Sequence, residues 1–122
     1  MDIRKYWSAV LRQDRESLAA FFHRDAWVNW HNTNEHFTVS EFVRANCDYP
    51  GVWDGEVERI VEIGDQVITV TRVYDKEKTM SFHAVSFIHM KSDRIQSIDE
   101  YWGDDGAVPQ WRQELHIGSP IK

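Results

Sequence analysis

The residues with the greatest chemical potential lie in one stretch, 79–103. It holds two histidines, His83 and His89, and two adjacent carboxylates, Asp99 and Glu100, among apolar residues. Imidazole and carboxylate groups are the usual carriers of protons in enzyme active sites. We therefore ask which of these four side chains share a face, and which elements position them.

A tight turn at Ser92-Asp93 predicts that the stretch forms two antiparallel strands. Directly opposed residues of such a pair have a constant index sum and point to the same face. With Lys91 opposite Arg94, Val85 faces Glu100. A one-residue slip in this register would move half of the residues to the opposite face.

A second hairpin, with Tyr74 opposite Thr79, extends both faces by one strand. The first face, which we predict to floor a pocket, is apolar with a few polar exceptions and collects Ile68, Val70, Arg72, Ser81, His83, Val85, Phe87, Ile98, Glu100 and Trp102. The second face is rich in small and hydroxyl side chains and collects Val67, Thr69, Thr71, Val73, Met80, Phe82, Ala84, Ser86, Ile88, Asp99 and Tyr101. We expect this second face to be half-exposed or to pair with another subunit.

Glu100, His83 and Arg72 would be partly desolvated on an apolar, helix-covered wall. Burial raises the pKa of a carboxyl group and a nearby cation lowers it, so the balance poises such groups for proton transfer. Glu100 with His83 is the predicted general acid/base pair, and Arg72 would orient Glu100 or bind an anionic group. The alternative is a buried structural network that satisfies itself.

Four tryptophans, Trp7, Trp30, Trp53 and Trp102, would form aromatic walls that suit a flat, partly apolar ligand. Taken singly, each also suits an ordinary core position. The sequence therefore predicts a small-molecule ligand, with these walls as its apolar contacts.

Two polar positions add to the candidate site. Asn46 falls on the buried stripe of a predicted helix, where a ligand could pair with its amide. His31 ends a strand before a polar loop and is a further catalytic candidate. No carboxylate or cysteine completes a set with His31 and His36, so no metal site is predicted. No phosphate loop or dinucleotide fingerprint occurs, so no cofactor is predicted.

The elements that position these residues are three helices followed by a strand meander. Apolar spacing predicts a helix over 2–12, Asp14 caps a second short helix, and Thr38-Val-Ser-Glu41 is a capping box for a third that ends near Cys47. Strands are predicted over 26–31, 56–63, 66–74, 79–90 and 94–102. This order indicates an α+β fold with helices on one face of an antiparallel sheet. The tail from about residue 103 should be irregular and anchored by Trp111.

Length and charge restrict the class of protein. The 122 residues suit a single domain spanning 1–122. The net charge is -6 and no Lys/Arg run occurs, which argues against nucleic-acid binding and against an anionic membrane surface. No apolar run approaches the roughly 18 residues of a membrane span, so we expect a soluble, cytoplasmic protein.

The chain resembles the NTF2-like superfamily and, within it, the SnoaL-like group. The resemblance spans about residues 5–104 and rests on Phe-Phe-His-Arg-Asp-Ala-Trp-Val-Asn-Trp at 21–30 and Ser-Asp-Arg-Ile-Gln-Ser-Ile-Asp-Glu-Tyr-Trp-Gly-Asp at 92–104. It implies a cone-shaped α+β barrel, in which three N-terminal helices pack on a curved antiparallel sheet and enclose a deep pocket. It also implies homodimers through the outer face of the sheet.

Members of the superfamily include polyketide cyclases, ketosteroid isomerases, dehydratases and non-catalytic binding proteins. SnoaL-like cyclases carry an acid on the last strand and a histidine on the strand before, and Glu100 and His83 fall at similar positions. Ketosteroid isomerases use a tyrosine of the first helix as an oxyanion donor, a position that Tyr6 would match. They also use an acid near the end of the first strand, where this chain has Trp30-His31, so the ketosteroid isomerase activity is not carried over. Together with the residues, the resemblance favours a cofactor-independent acid/base enzyme that isomerises, cyclises, hydrates or dehydrates its substrate. Glu100 would be the base, and His83, with His31, the donor or orienter. The alternatives are a non-catalytic small-molecule binding domain and a dimeric interaction module.

Overall fold

The computed structural model describes residues 1–122 and confirms the α+β class. The elements in chain order are α1 (Ile3–Arg12), α2 (Arg15–Ala19), β1 (Phe22–Trp30), β2 (Glu35–Thr38), α3 (Val39–Cys47), β3 (Trp53–Ile63), β4 (Gln66–Asp75), β5 (Ser81–Lys91), β6 (Arg94–Asp104) and α4 (Gln110–Glu114). The six strands form one curved sheet in the order β2-β1-β6-β5-β4-β3. The sheet is open, because β2 and β3 are its two edges.

The helix boundaries follow from side-chain caps that were predicted. Asp14 accepts a hydrogen bond from the backbone N–H of Ser17 and begins α2. Thr38 and Glu41 form the capping box of α3, so that each satisfies a backbone N–H that the helix leaves free. The buried stripe of α1 has helical spacing and consists of Ile3, Tyr6, Trp7, Ala9 and Val10.

Two features of the sheet differ from the prediction. β1 begins at Phe22 rather than at residue 26 and runs parallel to β6. The polar residues after His31 form the predicted loop, but Glu35–Thr38 then form β2, an edge strand that we did not predict and that pairs antiparallel with β1. The antiparallel order of β3, β4, β5 and β6 is confirmed.

The register of β5 and β6 changes at a β-bulge. Lys91 lies opposite Arg94 as predicted, but beyond His89 and Met90 the pairing shifts by one residue and Ser86 lies opposite Glu100. An extra residue in one strand, here Gln96, inverts the alternation of all residues beyond it relative to the partner strand. The prediction that Glu100 shares a face with Val85 and His83 is therefore wrong.

The helices cover the face that we predicted to be outer. Thr69, Thr71 and Ser86 are fully buried, whereas Ile68 and Val70 are only half-buried on the opposite face. We call the helix-covered side the inner face and the other side the outer face. The prediction was reversed because β-branched apolar residues of β4 lie on the outer face, while the inner face uses threonine and serine.

The chain after β6 makes few contacts. α4 has no buried residue, and Trp111 is 59% exposed, so the prediction that Trp111 anchors the tail is wrong. None of the helices combines the length and the apolar composition that crossing a bilayer requires.

Gly55 allows α1 to pack closely on β3. A Cβ atom at this position would lie 2.4 Å from the backbone oxygen of Arg72 and 3.2 Å from both δ-methyl groups of Leu11. The first distance is far below van der Waals contact and involves backbone, so the two strands would have to separate. Since α1 carries Tyr6 and Trp7, Gly55 helps to set the depth of these side chains in the interior.

We expect Gly55→Ala to lower the free energy of unfolding by about 1–3 kcal/mol, the usual cost of overpacking. Gly103→Ala is the matched control, because a Cβ there meets no atom within 4 Å. Urea unfolding monitored by tryptophan fluorescence measures both changes. Equal stability of the two variants would contradict the close approach at Gly55.

Candidate functional site

A polar row crosses the middle of the inner face. Thr69 of β4, Ser86 of β5, Glu100 of β6 and Trp30 of β1 lie side by side in register. The row on one side of it is wholly apolar and consists of Val67, Ile88, Ile98 and Val28. The polar row thus places a carboxyl group in the interior, where the sheet meets the helices.

Glu100 is only 2% exposed and has no cationic partner. Its Oε2 accepts a hydrogen bond from Ser86 Oγ at 2.5 Å, and its Oε1 accepts one from Trp102 Nε1 at 2.9 Å. Burial raises the pKa of Glu100, and these two donors only partly oppose the increase. A carboxyl group with a raised pKa is suited to proton transfer near neutral pH.

Three buried polar atoms of the interior have no hydrogen-bond partner in the protein: Tyr6 Oη, Trp30 Nε1 and Thr71 Oγ1. The Trp30 indole lies close enough to Glu100 to lower its pKa slightly, but no hydrogen bond of acceptable geometry joins them. Burial, and then the charge of Glu100, raises the pKa of Tyr6 well above its ordinary value, so its phenol keeps its proton. Buried polar groups without partners are rare in native proteins, and each calls for an explanation such as a bound water, a ligand or a catalytic role.

Aromatic rings line the region around these atoms. Trp7 Nε1 donates to Thr69 Oγ1 at 3.1 Å, and Trp30 meets Trp102 edge-on with ring centroids 6.5 Å apart. Trp53 is connected to these rings only indirectly. Its ring contacts Phe82, and Phe82 in turn contacts Trp102. The structure therefore brings Tyr6, Trp7, Trp30, Trp102 and Glu100 to one region, with Trp53 at its periphery.

The predicted partners of Glu100 lie on the outer face. His83 bonds Asp105 Oδ1 through Nδ1 at 2.5 Å and Glu58 Oε1 through Nε2 at 3.0 Å, and the bond to Asp105 raises its pKa. Val85 and Arg72 lie on the same side, and the Arg72 guanidinium covers the Tyr74 ring at 4.9 Å. Because the β-bulge separates Glu100 from all three, the predicted pairing of Glu100 with His83 and Arg72, and the placement of Val85 on the pocket face, are wrong.

His31 is also directed outward. Its Nε2 lies 2.7 Å from Asp99 Oδ1, and its ring stacks on Tyr101 at 4.4 Å. Its backbone N–H donates to the carbonyl oxygen of Glu100 at 3.0 Å, so His31 helps to fix the end of β1 against β6. Its imidazole does not point toward the inner face.

Asn46 already has a partner within the protein. Its Nδ2 donates to the carbonyl oxygen of Val10 at 3.0 Å, and its backbone carbonyl oxygen accepts from Gln13 Nε2 at 2.9 Å. These bonds join α3 to the end of α1. The amide therefore has a structural role where we predicted a contact with ligand.

Sequence reasoning missed Ser86, Thr69 and Thr71 as members of the site, because hydropathy assigned the face that carries them to the outer side of the sheet. Their alternation with apolar residues along β4 and β5 was the available signal. Hydroxyl side chains are short and can pair with one another and with the carboxylate in a tight interior. The β-bulge of β6 decides only whether Glu100 joins these residues.

No family model matches the sequence, and no curated protein resembles it significantly. Solved structures do share its fold. A proposed ketosteroid isomerase from Kribbella flavida superimposes with a TM-score of 0.81 and 21% identity, covering 98% of this chain and 88% of that one. An NTF2-like protein of unknown function from Burkholderia xenovorans superimposes with a TM-score of 0.78 and 18% identity. The match covers 97% of this chain and 91% of that one.

A proposed SnoaL-like polyketide cyclase from Shewanella putrefaciens is a third such structure, with a TM-score of 0.66 and 18% identity, covering 79% of this chain and 73% of that one. The chain therefore has the NTF2-like fold, which ketosteroid isomerase-like and SnoaL-like proteins share. The predicted fold class is confirmed, apart from closure of the barrel.

We expect Glu100→Gln to stabilise the protein at high pH. Since the folded pKa of Glu100 is raised, wild-type stability is greatest below the unfolded pKa of about 4.3 and falls as pH rises through the folded pKa. Glutamine mimics the protonated acid, so the variant should gain about 1.4 kcal/mol for each unit of raised pKa. Urea unfolding from pH 4 to 8 measures this, with the exposed Glu56→Gln as control. An unchanged pH profile in Glu100→Gln would contradict the raised pKa.

Proposed function

We propose that the inner face holds a small, partly apolar molecule and that Glu100 transfers a proton to or from it without a cofactor. One observation carries this proposal: a fully buried carboxyl group without a cation lies in the same interior as three polar atoms that have no protein partner. Burial of such a group is unfavourable, and proteins retain unfavourably buried ionisable groups mainly at functional sites.

The roles follow from the hydrogen-bonding capacity of each group. Ser86 and Trp102 hold the Glu100 carboxylate in place while it removes a proton from carbon next to a carbonyl group. The C–H electron pair then moves into the C–C bond, and negative charge develops on the carbonyl oxygen. The Tyr6 phenol and the Trp30 indole N–H are the donors available to that oxygen.

Return of the proton from Glu100 to another carbon completes an isomerisation. If the substrate has a β-hydroxyl group, cleavage of its C–O bond with transfer of the Glu100 proton to the departing oxygen releases water and completes a dehydration instead. The aromatic walls suit the apolar part of the substrate. His83 and His31 have no part in this scheme, because both imidazoles lie on the outer face. The similarity to a proposed ketosteroid isomerase and a proposed polyketide cyclase supports the reaction class through the fold alone.

A non-catalytic binding protein is the second candidate function. The tight hydrogen bonding of Glu100 by Ser86 and Trp102 favours it, since a carboxylate held by two donors is a weaker base. The same walls would then hold a ligand that accepts hydrogen bonds from Tyr6 and Trp30 without reaction.

We expect the protein to catalyse exchange of α-hydrogens of a bound ketone with D₂O. A thermal-shift screen of small cyclic and aryl ketones identifies ligands, because a molecule that binds only the native state raises the melting temperature. Proton NMR in D₂O then follows the exchange. Glu100→Gln should lower the exchange rate by about 10²–10⁴-fold, the usual contribution of a general base.

The neighbouring Asp99→Asn is the matched control, because Asp99 points to the outer face and should leave exchange unchanged. Equal exchange rates in Glu100→Gln and the wild type would exclude Glu100 as the base. Binding of ketones with no exchange in the wild type would favour the second candidate.

We also propose that two copies of the chain associate through the outer face. Its centre consists of Ile68, Val70 and Val85 with Phe87, which is 36% exposed, and Tyr101, which is 44% exposed. These residues lie in adjacent rows, so they form a continuous apolar surface of the kind that mediates association.

Phe87→Glu should convert a dimer into a monomer, because the charge would be buried at the interface without a partner. Light scattering coupled to size-exclusion chromatography at several concentrations measures the mass. Val52→Glu is the control, since Val52 is a 64% exposed apolar residue outside the sheet. A monomeric wild type, or a Phe87→Glu variant that remains dimeric, would refute the interface.

A further inference from the structure

A second candidate site lies in an open cleft between α2, α3 and the start of β1. The cleft has a volume of about 570 Å³, and Glu100 and its hydrogen-bond partners are absent from its lining. Its size falls within the range of small-molecule sites, roughly 300–1,000 Å³. A ligand in this cleft would contact neither Glu100 nor its hydrogen-bond partners.

The cleft is positively charged although the chain is acidic. Arg15, Arg24 and Arg44 line it together with His23, and Asp48 is the only acidic residue in its lining. Three of the 14 lysine and arginine residues of a chain with net charge -6 thus meet in one depression. Such a local excess attracts anions.

Asp48 positions two of the guanidinium groups without exhausting them. It bonds Arg15 through Nη2 and Arg44 through Nε, the latter at 3.3 Å, and these bonds lower its pKa. Each guanidinium keeps its other N–H groups free, since neither makes a further hydrogen bond. Arg24 is exposed and has no ion-pair or hydrogen-bond partner.

Two further features of the lining suit an organic anion. α3 begins in the wall of the cleft, where Thr38, Val39 and Ser40 line it, and the positive end of a helix dipole favours negative charge. Apolar side chains form the remaining surface, from Ala19, Phe22, Val39 and Val43. A ligand with an apolar body and an anionic group would contact both kinds of surface.

We propose that this cleft binds an organic phosphate monoester, with the phosphate on Arg24, Arg44 and Arg15 and the apolar body against the more accessible Ala19 and Val39. A phosphate monoester carries three terminal oxygens and a charge near -2 at neutral pH, which matches three guanidinium groups. A carboxylate offers two oxygens and a single charge, so it leaves more of the donors unused.

Phenyl phosphate is a suitable probe of this cleft. Calorimetry at constant ionic strength, with ¹H–¹⁵N spectra including the arginine Nε–Hε signals, should show saturable binding that shifts α3 and the Arg24 and Arg44 side chains. Inorganic phosphate should bind about tenfold more weakly because it lacks the apolar body. Benzoate should also bind about tenfold more weakly, because its carboxylate carries less charge and fewer oxygens than the phosphate. The double variant Arg24→Gln/Arg44→Gln should lose at least about tenfold in affinity.

Arg59→Gln is the matched control. Arg59 is an exposed arginine of β3, the edge strand at the opposite end of the sheet from β1 and β2, so this variant should bind phenyl phosphate as the wild type does. Circular dichroism checks that each variant is folded. Unchanged affinity in the double variant, absence of saturable binding, or shifts confined to Tyr6 and Trp30 would overturn the proposal. Benzoate that binds as tightly as phenyl phosphate would overturn the assignment to phosphate esters.

Discussion

The β-bulge between β5 and β6 is the constraint on which the rest of the site depends. It shifts the pairing by one residue after His89, so Glu100 lies beside Ser86 on the inner face and Asp99 lies on the outer face. Without the extra residue the alternation would invert, and a charged group would exchange places with apolar neighbours. Bulges often direct a side chain to a functional position, and this one directs Glu100 into the interior.

A buried carboxyl group without a cation is unfavourable for the fold. Two hydrogen bonds, from Ser86 and Trp102, offset part of the desolvation, and the rest remains as a raised pKa. The unpaired hydroxyl of Tyr6 and the unpaired N–H of Trp30 add to this cost. An ordinary core would replace these groups with apolar residues, as in the neighbouring row of Val67, Ile88, Ile98 and Val28. Proteins retain such unfavourable arrangements mainly where activity or binding requires them.

Local features of the fold could be predicted from the sequence, because their causes are local. Asp14 and the Thr38–Glu41 box cap helices through bonds within four residues, and short turns require antiparallel strands. The bulge could not be predicted, since the pairing of β6 depends on packing against β5 and β1 at once. A single extra residue then separated Glu100 from its predicted partners, His83 and Arg72, and placed it beside Ser86.

The choice of the inner face failed for a different reason. Hydropathy favoured burial of Ile68, Val70, Val85 and Phe87, whereas the structure buries threonine and serine and leaves those apolar residues partly exposed. This inversion makes sense if both faces are covered in the working protein, one by helices and a ligand and the other by a second copy. Hydropathy alone cannot distinguish two such faces.

The most direct test of the account is the pKa of the Glu100 carboxyl group, measured by ¹³C NMR of the side-chain carbonyl with Glu100→Gln to assign the signal. The account predicts a pKa clearly above the ordinary glutamate value of about 4.3. A titration at or below that value would show that Glu100 is an ordinary ionised side chain, and would contradict its role as the proton carrier.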